Sequence, residues 1–337
     1  GSLYAFAQDP AMRELGREGM DFAYYLLAVH SQQGIFASSS GRTYIKEQFG
    51  NWSNCPSGLS WIGYGYGVPG HAGKGITSYC LSDYEPPKEF AQWFSIPRGK
   101  EMICQTTQGN DGYVDLYTYK TADYMMTSAN DFHPGEPGHQ ENPFQLTFNA
   151  VAQLWVTHPG ERVLFGAARP SYWAGNGTLP KVNQYKAFAG LIYDIAPEHP
   201  VDFTHLYLPS MEFDRCKVEG KWAFVQLGSA YAAVYCSNGM RMQDFGSNKD
   251  RECIAEGRRC IWLVRAAQAD EFAAFEDFKA AMRGAALDAD AEGRRYRFVD
   301  PVYGELRCQW GETLYVNDAP MQYSGFDNYG KLTMQEK

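Results

Sequence analysis

Residues 213–227 read FDRCKVEGKWAFVQL, and residues 228–236 continue GSAYAAVYC. Two runs rich in aromatic and β-branched residues flank Glu219-Gly220-Lys221, a short glycine-containing connection of the kind that reverses the chain between antiparallel strands. Outward from this hairpin the same pattern recurs. Short aromatic and β-branched runs bounded by Gly, Asn and Asp lie at 101–107, 113–120, 124–129, 144–148, 153–157, 163–167, 187–195, 203–207, 241–245 and 261–265. The spacing is that of a sandwich. Strand character returns from Arg297 through Leu306, at Leu314 to Val316 and at Leu332.

Two segments break the pattern. Asp9-Pro10 places an N-cap before a proline at the first helical position, and Met12, Leu15, Met20, Phe22, Leu26, Leu27 and Val29 follow at helical spacing. A helix over 10–30 is predicted, with Gly16 and Gly19 as candidate interruptions. Over 270–282, Phe272, Phe275, Phe278 and Ala281 form one stripe behind an acidic first turn, which predicts a second helix. The chain thus divides into a helical segment, 1–50, an aromatic and glycine-rich loop region, 51–88, and a β-sandwich domain, 89–337. The fold class is mainly β: a large antiparallel β-sandwich preceded by a short helical segment.

Composition narrows the function. The 337 residues carry 30 Lys+Arg against 39 Asp+Glu, a net charge of −9, and no basic run, which argues against a nucleic-acid partner. No stretch reaches the roughly 18 consecutive apolar residues of a membrane span. Gly1-Ser2 reads as the remnant of a removed tag, and the setting, cytoplasmic or periplasmic or secreted, stays open. The eight cysteines are dispersed, with no Cys-x-x-Cys, and read as reduced buried thiols, with a Cys253–Cys260 disulfide as the alternative. There is no Gly-x-Ser-x-Gly elbow, no phosphate-binding loop and no His-Glu-x-x-His. The 23 Tyr, 20 Phe and 8 Trp serve partly as sandwich core and leave flat rings over for stacking on sugar faces.

The densest polar cluster, NDFHPGEPGHQENPF at 130–144, packs two histidines, three carboxylates and three amides between prolines and glycines. A stiff loop of this kind presents side chains for function. His133 and His139 fit a proton donor and its partner or hydroxyl-binding groups; a divalent metal between them is the lesser reading, because their spacing matches no standard zinc signature. No cofactor is expected. A second cluster, Arg169 to Gly177 leading through Lys181 to Lys186, offers Tyr172 and Trp173 as an exposed stacking platform beside Asn176; a buried Trp173 is the alternative. In the third, Gly41-Arg42-Thr43-Tyr44, the motif reads first as an ordinary turn with a packed Tyr; the functional alternative has Arg42 depress the Tyr44 pKa for acid/base work.

A resemblance joins these clusters. LAVHSQQGIF (27–36), GRTY (41–44), NDFHPGEPGHQENPFQ (130–145), THPG (157–160), YWAGNGTLPKVNQYK (172–186) and GSAYAAV (228–234) together resemble heparinase II/III-like proteins. More particularly, the chain is similar to bacterial members that pair an (α/α) toroid with a C-terminal β-supersandwich. The resemblance implies a polysaccharide lyase acting on acidic glycans, in which a Tyr and a His transfer the proton after an Asn, Gln or Arg neutralises the uronate carboxylate. It assigns the sandwich loop to His133 through Phe144 and the segment entering the next strand to Asn183-Gln184-Tyr185-Lys186. Tyr44, His139 and His133 become the acid/base candidates and Arg42 and Lys186 the carboxylate clamps. Glu136, Gln140, Glu141, Arg169, Tyr172, Trp173, Asn176 and Gln184 become the other substrate contacts. The loop is richer in proline than the family's histidine motifs, and Asn183-Gln184 stands where a histidine is usual, so the structural metal of some members lacks its expected ligand. The likeness takes in only the last helices of a toroid, which makes the chain read as the C-terminal portion of a longer protein. A glycoside hydrolase drawing a carboxylate pair from Asp131, Glu136 and Glu141, or a non-catalytic sugar-binding or structural module, are the competing expectations.

Overall fold

In the computed structural model, which describes residues 1–33, 35–36, 63–65, 81–108, 114–162, 172–173, 175–323 and 331–337, the 213–227 hairpin forms as its sequence predicts. β11 (Arg215–Glu219) pairs antiparallel with β12 (Trp222–Leu227), and Gly220 turns the chain at φ 64°, a conformation that favours a residue without a Cβ.

This hairpin begins a six-stranded sheet that continues through β13 (Ala230–Cys236), β16 (Arg259–Gln268), β9 (Phe188–Asp194) and β8 (Lys181–Tyr185). A nine-stranded sheet runs in the order β14 (Arg241–Met242), β15 (Glu252–Glu256), β10 (Phe203–Tyr207), β7 (Gln153–Thr157), β6 (Phe144–Thr147), β5 (Met125–Asn130), β4 (Val114–Lys120), β3 (Lys100–Gln108) and β22 (Lys331–Glu336). The third sheet, of five strands, comprises β17 (Leu287–Asp290), β18 (Arg295–Asp300), β19 (Gly304–Gln309), β20 (Tyr315–Val316) and β21 (Ala319–Pro320). All described pairings are antiparallel. β8, β15, β17 and β21, with the short β1 (Ser31–Gln32) and β2 (Ile35–Phe36), are strands beyond those predicted, the predicted strand at 163–167 lies outside the described residues, and 241–245 shortens to β14.

Alternation along β9 orders the layers. Phe188 stacks on Phe298 of β18 at 5.7 Å, and a Cβ on Gly190 would meet the Tyr296 hydroxyl. On the opposite face, the Tyr193 hydroxyl donates to the Val156 carbonyl of β7 at 3.1 Å. The six-stranded sheet is therefore the middle layer, which explains why β13 is buried along its whole length and lacks the alternation of a half-exposed strand. A buried ion cluster ties the middle layer to the five-stranded sheet. Arg265 donates to Asp300 and Glu271, each at 2.7 Å, and lies 4.2 Å from the Tyr303 ring centre. The second predicted helix, α3 (Phe275–Gly284), starts five residues later than expected and lays Phe275 and Phe278 against Tyr231.

At the N-terminus, α1 (Ser2–Phe6) precedes α2 (Pro10–Val29), whose Asp9 cap accepts the Ala11 amide at 2.9 Å. α2 runs unbroken through Gly16 and Gly19; Gly16 lets the Tyr4 backbone come close. Tyr25 and Val29 pack with Met102 and Cys104 on the outer face of the nine-stranded sheet. Lys120 is fully buried there, donating to the carbonyls of Ala28 and Phe94 at 3.4 and 3.1 Å and to that of Trp93, and burial pushes its pKa down to about 7. β1 (Ser31–Gln32) and β2 (Ile35–Phe36) follow the helix as a two-stranded ribbon. Of the aromatic loop region, residues 63–65 and 81–88 are described, and Tyr84 packs with Tyr24 of α2.

Candidate functional site

The strand registers bring several connections to one end of the sandwich. Asn130 pairs with Asp115, Thr157 with His205, Phe203 with Glu256, Asp194 with Arg259 and Gln309 with Arg295. The 131–143 loop therefore shares an end with the 175–180 segment. The two are bonded to each other through their backbones. The Gly135, Gly138 and Gln140 amides donate to the carbonyls of Leu179, Gly177 and Gly175 at 2.9, 2.7 and 3.2 Å, and the Leu179 amide returns to Glu136 at 2.8 Å. Glycine makes this approach possible. A Cβ on Gly138 would strike the Gly175 carbonyl, one on Gly175 the Glu141 carbonyl, and one on Gly177 the His158 carbonyl.

On this ridge His133, at φ 46°, sets Nδ1 3.1 Å from a Glu136 carboxylate oxygen and its ring edge-on to Phe132. Both side chains are exposed, at 43 % and 65 %, so the imidazole is oriented by a carboxylate while remaining open to solvent. His139 is exposed and Gln140 half-buried. The Glu141 carboxylate folds back to accept the His139 amide, and Asp131 pairs with Lys181. Glu141 therefore shapes the turn. Asn142 is fully buried; its amide donates to Gln145 at 3.4 Å, and its Oδ1 has no partner among the described residues.

Several expected contacts lie elsewhere. Tyr172 and Trp173 are 8 % and 0 % exposed, so they are no open platform. They close a buried network on the outer face of the nine-stranded sheet. Trp173 stacks on His205 at 4.0 Å; His205 bridges Thr157 through Nε2 at 2.8 Å and Glu252 through Nδ1 at 2.7 Å; and the Tyr172 hydroxyl donates to Glu252 at 2.8 Å. Burial pushes the Glu252 pKa up, but the bonds from His205, Tyr172 and Asn248 outweigh it and hold the carboxyl below its usual range. With Thr157 and His205 at 2 % and 0 % exposed, the Thr–His–Glu relay is closed to substrate and cements strands. Gln184 is buried and donates to the Met126 and Lys186 carbonyls at 3.1 and 2.9 Å, joining β8 to β5. Lys186 pairs with Glu101 at 2.7 Å at the far end of β8 from Lys181, which removes it as a clamp for the loop. Asn176 is half-buried against Gly160. Arg42, Tyr44 and Arg169 lie outside the described residues.

A feature that sequence reading missed adjoins the ridge. Behind Gly135 opens a cavity of about 630 Å³ walled by Asp194, Asn238, Arg258, Arg259, Glu292 and Trp310, which come from five separate connections. No local motif announces it, because only the folded registers bring these residues together. Among the described residues no group of three or more His, Cys, Asp and Glu is placed to hold a metal ion. The six described cysteines are free thiols, and Cys260 lies nearest Cys236, sulfur to sulfur at 3.2 Å, rather than pairing with Cys253. No helix among the described residues is long and apolar enough to cross a membrane. Comparison with known protein families, with characterised proteins and with solved structures finds no match for this chain.

Proposed function

We propose that this chain is the β-sandwich part of a polysaccharide lyase-like protein that cleaves uronate-containing glycans by β-elimination. The observation that carries the reading is the His133–Glu136 pair, held at the loop end on a ridge whose backbone is bonded to a second segment. A carboxylate on Nδ1 fixes the tautomer and leaves Nε2 to act on substrate, the arrangement a general base requires. In the elimination, the base takes the proton from the carbon next to the uronate carboxylate, those electrons form the new carbon–carbon double bond, and the glycosidic oxygen leaves and is protonated. His139, on the same loop, is the second proton-transfer candidate.

A hydrolase needs two carboxylates free to act across the bond. Here Asp131 is held by Lys181, Glu136 by His133 and Glu141 by the His139 amide, which favours elimination. The test is ultraviolet absorbance of the unsaturated product from a panel of uronate glycans. The intact full-length protein generates the signal, and His133→Ala in it lowers the rate by roughly a hundred- to ten-thousand-fold, the usual worth of a positioned acid or base. An unchanged rate in that variant, or no absorbance with any glycan, overturns the proposal.

A further inference from the structure

The cavity behind Gly135 has walls suited to one kind of ligand. Trp310 is half-buried and lines the space, which puts an aromatic side chain in its wall. Around it stand Asp194, Arg259 and Glu292, planar polar groups of the sort that bind hydroxyls, while Asn238 is tied to the Glu256 and Arg259 carbonyls at 2.8 and 2.9 Å and braces the wall. Arg259 is already neutralised, by Asp194 at 3.0 Å and Glu292 at 2.6 Å. Arg294, whose guanidinium lies 5.4 Å from the Trp310 ring centre, pairs with Asp194 at 2.8 Å.

Arg258 differs. Its guanidinium donates to the Ala196 and His199 carbonyls, at 2.8 and 3.0 Å, which fixes its position, and no carboxylate among the described residues pairs with it. A held guanidinium with an uncompensated charge in a concave wall is a carboxylate receptor, since the planar fork matches a carboxylate edge. The volume of about 630 Å³ admits one or two sugar rings.

We propose that this cavity is a binding subsite for a uronate residue of the glycan, its ring against Trp310 and its carboxylate on Arg258. The inference rests on the proposed function for its substrate class, but not on catalysis: the subsite lies beside the His133 ridge and binds whether or not turnover occurs. Binding of a glucuronate-containing tetrasaccharide is measured by calorimetry and by tryptophan fluorescence, with a neutral glucose tetrasaccharide alongside. The wild-type chain binds the acidic sugar saturably and at least tenfold more tightly than the neutral one. Trp310→Ala weakens both sugars about tenfold, whereas Arg258→Gln erases the preference for the acidic one. Trp310→Phe, which keeps a ring, retains most of the affinity, and circular dichroism melts confirm that each variant is folded. Binding without any unsaturated product leaves the subsite standing and removes the lyase reading. Unsaturated product with binding unchanged in Trp310→Ala and Arg258→Gln does the reverse, and absence of saturable binding to the acidic sugar overturns the subsite.

Discussion

His158 accepts the Thr178 amide on Nδ1 at 2.8 Å and directs Nε2 to the Val201 carbonyl at 3.2 Å, and burial, with His199 adding to it, pushes its pKa down to about 3. In the unfolded chain the same group takes its proton near 6.5. Its stabilising contribution is therefore complete above that pH and is lost as the pH falls toward 3. Urea unfolding at pH 7.5 and at pH 5 is expected to show a larger loss of stability for the wild type than for His158→Gln; equal losses would contradict the assignment. His133 stands in different surroundings, exposed at 43 % with a Glu136 carboxylate oxygen 3.1 Å from Nδ1. The sequence presents the two histidines alike, each beside Pro and Gly, and only their partners separate them. The same holds for Tyr172 and Trp173, whose neighbours His205 and Glu252 lie on strands more than thirty residues away in sequence.

At the scale of elements, what could be read in advance is what local chemistry dictates. Asp9-Pro10 announces α2, Glu219-Gly220-Lys221 the hairpin, and the phenylalanine stripe α3. β8 escapes because Lys181, Asn183 and Gln184 look like surface residues, yet all three are buried, Lys181 paired with Asp131 of the loop and the other two bonded to distant strands. The bonded loops give a paired test. Gly177→Ala forces a Cβ onto the His158 backbone and is expected to cost about 2–3 kcal/mol, with loss of the ridge. Gly220→Ala, where only the positive φ resists and nothing lies within 4 Å, costs about 1 kcal/mol. Equal effects in chemical unfolding would show that the close approach is not what holds the loops. Between layers, Asp300→Ala leaves Arg265 buried without one of its two carboxylates and removes the acceptor for the Val302 and Tyr303 amides. A loss of about 3–5 kcal/mol is expected from denaturant unfolding; less than 1 kcal/mol would mean that Glu271 alone suffices.

For the whole molecule, three stacked antiparallel sheets supply a rigid frame and gather their connections at one end. The aromatic richness that first pointed to sugars is largely the cement of this frame, as in Trp155 stacked on Tyr207 at 4.1 Å and Phe188 on Phe298. The part proposed for function is smaller, His133 with Glu136 and Trp310 with Arg258. Both residues of the first pair lie in a single polar loop that the sequence singles out, whereas the second pair comes together only on folding. The most direct measurement is the mass of the products released from a uronate glycan by the intact full-length protein and by its His133→Ala variant. Elimination predicts wild-type fragments one water lighter than hydrolysis would give, carrying a double bond at the newly cut end and strongly depleted in the variant. Fragments that have gained a water, or an intact glycan after exhaustive incubation with the wild type, would contradict the account.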